Sequence, residues 1–187
     1  MESEAVADAV SAVPYVFTVN ELLEWAKDLE RLISKEEIGE MASRLDRRDG
    51  PALLEALWAA DLLDEENAAA VGSVWSMAEF PGLSLERATW RSLFKLSGYT
   101  VDGTPADPPA EALTLYRGAT DEHRDGWSWT PNRAVAARFA DERILGRADG
   151  KVWVAHVEPW RLLTRNTERE EEEYVVDTDG LEIRPAD

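Results

Sequence analysis

The run "REEEEYVVD", residues 169–177, sets four glutamates, Glu170 to Glu173, directly before an apolar triplet. Paired carboxylates can divide a reaction between them: one stabilises a developing positive charge and the other handles a proton. At strand spacing Glu171 and Glu173 share one face, and Glu170 and Glu172 the other. Glu170 and Glu172 are then the solvated, dispensable pair. The apolar residues that follow predict that Glu173 already lies inside a sheet. Alone, the run also reads as an acidic loop leading into a strand.

Two other features carry side chains suited to holding a phosphate or another polar group. Arg117 closes the apolar strand "LTLYRG". It either snorkels to solvent or holds a phosphate, for which a guanidinium offers two matched hydrogen bonds. Gly118 behind it would let a ligand come close to the backbone. In "GWSWTP", Ser128 and Thr130 project to one face of a strand, and Trp127 and Trp129 to the other. Thr130, followed by Pro131 and a helical pattern, is expected to cap that helix. Ser128 has no such structural duty, so a hydroxyl between two indoles marks a place where something polar is held. His123 and His156 read as an exposed loop residue and a strand residue without a catalytic partner. Two distant histidines in a chain lacking cysteine make a poor zinc set, so no metal is expected. No phosphate loop, glycine-rich dinucleotide fingerprint or serine elbow is present.

Composition narrows the classes further. A net charge of −18 opposes nucleic-acid binding, which depends on phosphate neutralisation, and would attract a basic protein. The acidic start "MESEAVADAV" lacks the order of a signal peptide, and no apolar stretch is long enough to span a bilayer. The expectation is a cytoplasmic protein without membrane contact.

Positioning these residues falls to two kinds of sequence. Residues 1–16 form a loose lead-in. Residues 17–98 show the 3.6-residue period of about five short helices around a Trp/Leu core, the tryptophans included. Thr18 with Glu21, and Ser34 with Glu37, have capping-box spacing. Leu22, Trp25, Leu29 and Leu32 share one face, as do Trp90, Leu93 and Phe94. Pro51 suits a helix start and Gly98 a helix end. Residues 99–111, rich in Pro, Gly and Asp, read as a linker. From 112 to 187 the period moves towards 2. Strands are expected at "LTLYRG", "GWSWT", "KVWVAHVE", "EEYVVD" and "LEIRP", with a helix at "PNRAVAARFA".

Taken in order, an arginine on the first of these strands, a serine on the second and Glu-x-Glu opening a later one resemble the Arg-Ser-Glu class of ADP-ribosyltransferases. "LYRG" resembles the family's first-strand arginine motif at Arg117. "SWT" stands where the family has Ser-Thr-Ser, with Ser128 as the matching serine. "EEEYVV" resembles its Glu-x-Glu motif, with Glu171 first and Glu173 as the catalytic glutamate. The stretch from "TWRSLFKLSGYTVDG" to "GWSWT" is similar to a group of actinobacterial and phage proteins of this kind. The gap between Arg117 and Ser128 has no room for the helical insertion of many relatives, and a separate recognition loop before Glu171 is hard to find.

This resemblance implies an α+β fold, with an N-terminal bundle of short helices packed on a C-terminal ADP-ribosyltransferase-like mixed β-sandwich core. It implies NAD as substrate, cleaved between nicotinamide and ribose through an oxocarbenium-like state. Glu173 would bond the ribose 2′-hydroxyl and Arg117 a phosphate. Ser128 would orient Glu173, and Gly118 would meet the carboxamide. Thr130 would complete the pocket, and Trp129 or Phe139 would stack on nicotinamide. Glu171 would serve the acceptor, an arginine of a target protein or water. Two other functions are carried alongside. One is a non-catalytic acidic module that binds or inhibits a basic partner. The other is a toxin of a toxin–antitoxin or phage–host conflict system that uses the same chemistry.

Overall fold

The computed structural model describes residues 13–14, 18–29, 31–141, 149–167 and 172–186. It is an α+β structure, helical first and sheet-rich after residue 99. No helix among the described residues is long and apolar enough to cross a membrane.

Among the described residues, six α-helices precede the sheets: α1 (Val19–Lys27), α2 (Lys35–Arg44), α3 (Gly50–Ala59), α4 (Val71–Met77), α5 (Pro81–Ser84) and α6 (Arg87–Ser97). Their starts follow from local chemistry. Thr18 accepts from the Glu21 amide and caps α1. Ser34 and Glu37 form a reciprocal capping box on α2, satisfying two amides that a helix start leaves open. Gly98 ends α6 at φ +65°, where glycine carries no Cβ penalty. The α1 stripe is shorter than its sequence pattern: the helix stops at Lys27, and Leu32 is 46% exposed. Of the helical tryptophans, Trp75 and Trp90 are buried, whereas Trp58 stays 40% exposed.

The strands are β1 (Thr100–Val101), β2 (Thr104–Pro105), β3 (Leu113–Ala119), β4 (Ser128–Trp129), β5 (Lys151–Val157), β6 (Leu162–Asn166), β7 (Glu173–Val176) and β8 (Arg184–Pro185). Helix α7 (Arg133–Ala140) lies between β4 and β5. They form a five-stranded sheet, β2-β1-β6-β7-β4, and a three-stranded sheet, β3-β5-β8. The expected linker is therefore corrected. Residues 100–105 make a hairpin whose first strand pairs in parallel with β6. The expected strand at "LEIRP" is reduced to Arg184–Pro185.

The five-stranded sheet is the middle layer. On β7, Val175 joins the helical core, while Tyr174 and Val176 join the core between the sheets. That is the alternation of a strand buried on both faces. By the same alternation Glu173 shares the helical face with Val175. The helical region and the sheets thus share a core, with Trp127 also packed among the helical leucines. Helix α4 comes close to the sheet at Gly72, where a Cβ would lie 2.6 Å from Thr164 Oγ1 on β6. Arg91 of α6 adds a bidentate ion pair to Asp177 beyond β7, at 2.8 and 2.9 Å.

Candidate active site

A cavity of about 130 Å³ opens at the end of β3 and β4. Its walls include Arg117, Gly118, Ser128, Trp129, Thr130, Phe139 and Glu173. The three motif positions drawn from sequence order thus meet around one space. Glu171 lies outside the described residues, as does Glu170. Two further cavities, of about 590 and 180 Å³, share Ser128 and Phe139 with the first and carry the groove onto the helical region at Trp75, Glu79 and Pro81.

The opening has a backbone cause. Strand β3 pairs with β5 along its whole length. On its other edge it meets the β4 segment in one bridge, Tyr116 to Thr130, with hydrogen bonds of 2.7 and 2.9 Å. The next facing pair in that register, Gly118 and Ser128, is not bridged, and the cavity lies there. Ladder alternation points the Gly118 amide and carbonyl to the Tyr116 side, towards this opening.

Arg117 does not snorkel to solvent. Its Nε donates to the His123 carbonyl at 3.1 Å and its Nη1 to the Ser128 carbonyl at 2.8 Å. It therefore holds the loop that delivers Ser128. Gly126 makes room for it: a Cβ there would sit 2.3 Å from Nη2. The close approach at Gly118 comes from α7 rather than from a ligand, since a Cβ would lie 2.0 Å from the Ala136 carbonyl oxygen. The bare Gly118 Cα thus seats the helix that carries Phe139.

The two aromatic candidates separate. Phe139 is half-buried and borders all three cavities. Trp129 is 2% exposed, packs in the core between the sheets and donates its Nε1–H to the Gly126 carbonyl at 2.8 Å. Trp127 and Trp129 do not share a core as strand alternation over 127–130 would require, because regular β4 is only two residues long. Thr130 is not the helix cap. Asn132 caps α7, accepting from the Ala134 and Val135 amides, and Thr130 Oγ1 accepts from the Asn132 amide at 3.1 Å.

Glu173 is held by partners that sequence reading missed. Its Oε1 accepts from Trp75 Nε1 at 3.3 Å and its Oε2 from Asn166 Nδ2 at 3.0 Å. Asn166 is its register partner across β6 and β7, so adjacency follows from strand pairing. Nothing local in the sequence of α4 signals that Trp75 turns its N–H to the sheet. Ser128 borders the same cavity, and among the described residues its hydroxyl makes no hydrogen bond to Glu173. Glu172 is not simply solvated: it pairs with Arg165 at 2.8 Å and has φ +43°.

No family model matches the chain, and no match was found among the curated proteins or the solved structures compared with it.

Proposed function

We propose that this protein is an NAD-cleaving enzyme of the ADP-ribosyltransferase type, with a β-sandwich core of that kind beneath its helices. One observation carries the reading: Arg117, Ser128 and Glu173, matched to the motifs by order alone, line one cavity with Gly118 and Phe139. The nicotinamide end of the substrate occupies that cavity against Phe139, as a flat ring on an aromatic wall. Its carboxamide meets the main chain of Gly118. The adenosine end has the wider cavity, bounded by Phe80, Pro81 and Arg87. Ligand sites are commonly clefts of this connected, largely apolar kind with a few polar groups.

The Glu173 carboxylate faces the ribose. As the bond from ribose C1′ to the nicotinamide nitrogen breaks, its electron pair stays on the nitrogen and nicotinamide leaves neutral. Positive charge passes to the ribose, where a fixed anion stabilises it, as carboxylates do in glycoside hydrolysis. The acceptor atom then bonds to C1′ and gives up its proton to a base or to solvent. The resemblance gives that base as Glu171. Arg117 holds the loop of Ser128 and presents positive charge to the phosphates.

A thermal-shift titration with NAD tests the premise. Stabilisation that rises with NAD concentration, and is lost in Phe139→Ala, is expected. No shift with wild type at millimolar NAD would remove the basis of the reading.

A further inference from the structure

We propose that the helical region completes the site, with Trp75 and Asn166 acting as positioning residues that clamp the Glu173 carboxylate in one orientation. The two donors approach different oxygens of the carboxylate, at 3.3 and 3.0 Å, from different elements. Two bonds from two directions set the plane of the carboxylate, which one bond cannot do.

Each donor is itself buried. The Trp75 indole is 2% exposed. It stacks on Trp127 at 5.7 Å between ring centres and 18° between planes, and meets Trp90 edge-on at 4.8 Å and 71°. Helix α4 is seated one turn earlier, where Gly72 lies against Thr164 and Thr100. Thr164 is two residues before Asn166 on β6, so one strand receives the helix and supplies the second donor. Asn166 is 7% exposed.

Both donors are neutral. They orient the carboxylate without cancelling its charge, as a lysine or arginine would. Among the described residues no cationic group forms an ion pair with Glu173. The carboxylate therefore borders the cavity with neutral donors on its oxygens and no bonded counter-ion. Such a group is suited to stabilising a cation in place, because little reorganisation is needed when that charge appears. The catalytic consequence rests on the NAD reading; the clamp does not.

Two measurements on the full chain test this. In the first, the indole N–H signal of Trp75, assigned through Trp75→Phe, is followed by nitrogen–proton NMR in wild type and Glu173→Gln. The signal should move, since its acceptor changes from an anion to an amide. An unmoved signal would overturn the clamp. In the second, steady-state nicotinamide release is measured for Trp75→Phe, which keeps a ring without the N–H, and for Asn166→Leu, which keeps a similar shape without the donor and adds no charge. The exposed Trp58→Phe is the control. Each site variant should lose about tenfold or more in kcat with KM within about twofold, the pattern of a group that matters only at the transition state. Unchanged kcat in both variants, beside an active wild type, would overturn the positioning role. An inactive wild type whose Trp75 signal still answers to Glu173 would remove the NAD reading and leave the clamp standing.

Discussion

Arg117 Nη1 donates to the main-chain carbonyl of Ser128 at 2.8 Å, so the arginine of β3 holds the serine of β4 where the two strands stop pairing. A second bond, from Nε to the His123 carbonyl, fixes the guanidinium plane. The rigid planar fork is what permits two directed bonds to two carbonyls.

Lysine at this position keeps the charge but not the fork. Arg117→Lys is expected to lower stability by about 1.5–3 kcal/mol, the range for hydrogen bonds to a charged group. It should lower nicotinamide release by about 100-fold, because Ser128 and the site it lines are no longer held in place. Urea denaturation and initial rates check the two effects separately.

Two glycines should fail in different ways. A Cβ at Gly118 meets backbone atoms of α7, which cannot yield without moving the helix. Gly118→Ala should cost about 1–3 kcal/mol or more, as overpacking does. A Cβ at Gly126 meets the end of the Arg117 side chain, which can rotate away. Gly126→Ala should therefore cost less stability but displace Arg117, losing activity. Both variants should lose rate, Gly118→Ala because its helix carries Phe139, but melting temperature should fall further in Gly118→Ala than in Gly126→Ala.

The link between helices and sheet is testable through Asp177. The Arg91 guanidinium hydrogen-bonds this carboxylate and holds its pKa below the ordinary value. Removing one partner of this half-exposed fork, by Arg91→Ala or Asp177→Asn, should destabilise by about 1 kcal/mol, the upper part of the range for exposed pairs. A double-mutant cycle isolates the pair from the packing of Arg91 over Trp127.

Acid should weaken the fold for a related reason. The Arg31 guanidinium, bonded to both oxygens of Glu37, holds that carboxyl down from its ordinary 4.5 to about 2, against an opposing effect of burial. A depressed carboxylate contributes stability that is present above its unfolded value and is lost as pH falls through the folded one. Melting temperature should therefore drop as pH falls from 4.5 to about 2. The drop should be smaller in Glu37→Gln, and added salt should narrow the difference, since Arg31 is largely exposed.

Features governed by a few neighbouring residues were legible in the sequence. The caps at Thr18 and Ser34 were, as were the buried face of Trp90, Leu93 and Phe94 and the entry of Glu173 into a strand. Where two local signals competed, sequence misled. Thr130 and Asn132 can both cap a helix, and the observed turn uses Thr130 to hold the Asn132 amide instead. Pairings between distant segments were not legible. The Pro- and Gly-rich stretch after Gly98 becomes a strand only because β6, some sixty residues later, offers an open edge. Trp75 shows helical spacing like any core residue; its N–H matters because tertiary packing turns it towards Glu173. Glu172 reads locally as surface charge, and its pairing with Arg165 comes from the approach of β6.

If Glu173 belongs to an NAD-cleaving site, its turnover appears as free nicotinamide. NAD labelled in the nicotinamide ring should be incubated with the full chain and with Glu173→Gln, with and without added acceptor proteins, and the released label quantified. Wild type should release nicotinamide, with a fall of about 100-fold or more in the variant, the scale of losing a main electrostatic stabiliser. Intact NAD in every wild-type reaction, or equal release by Glu173→Gln, would contradict it.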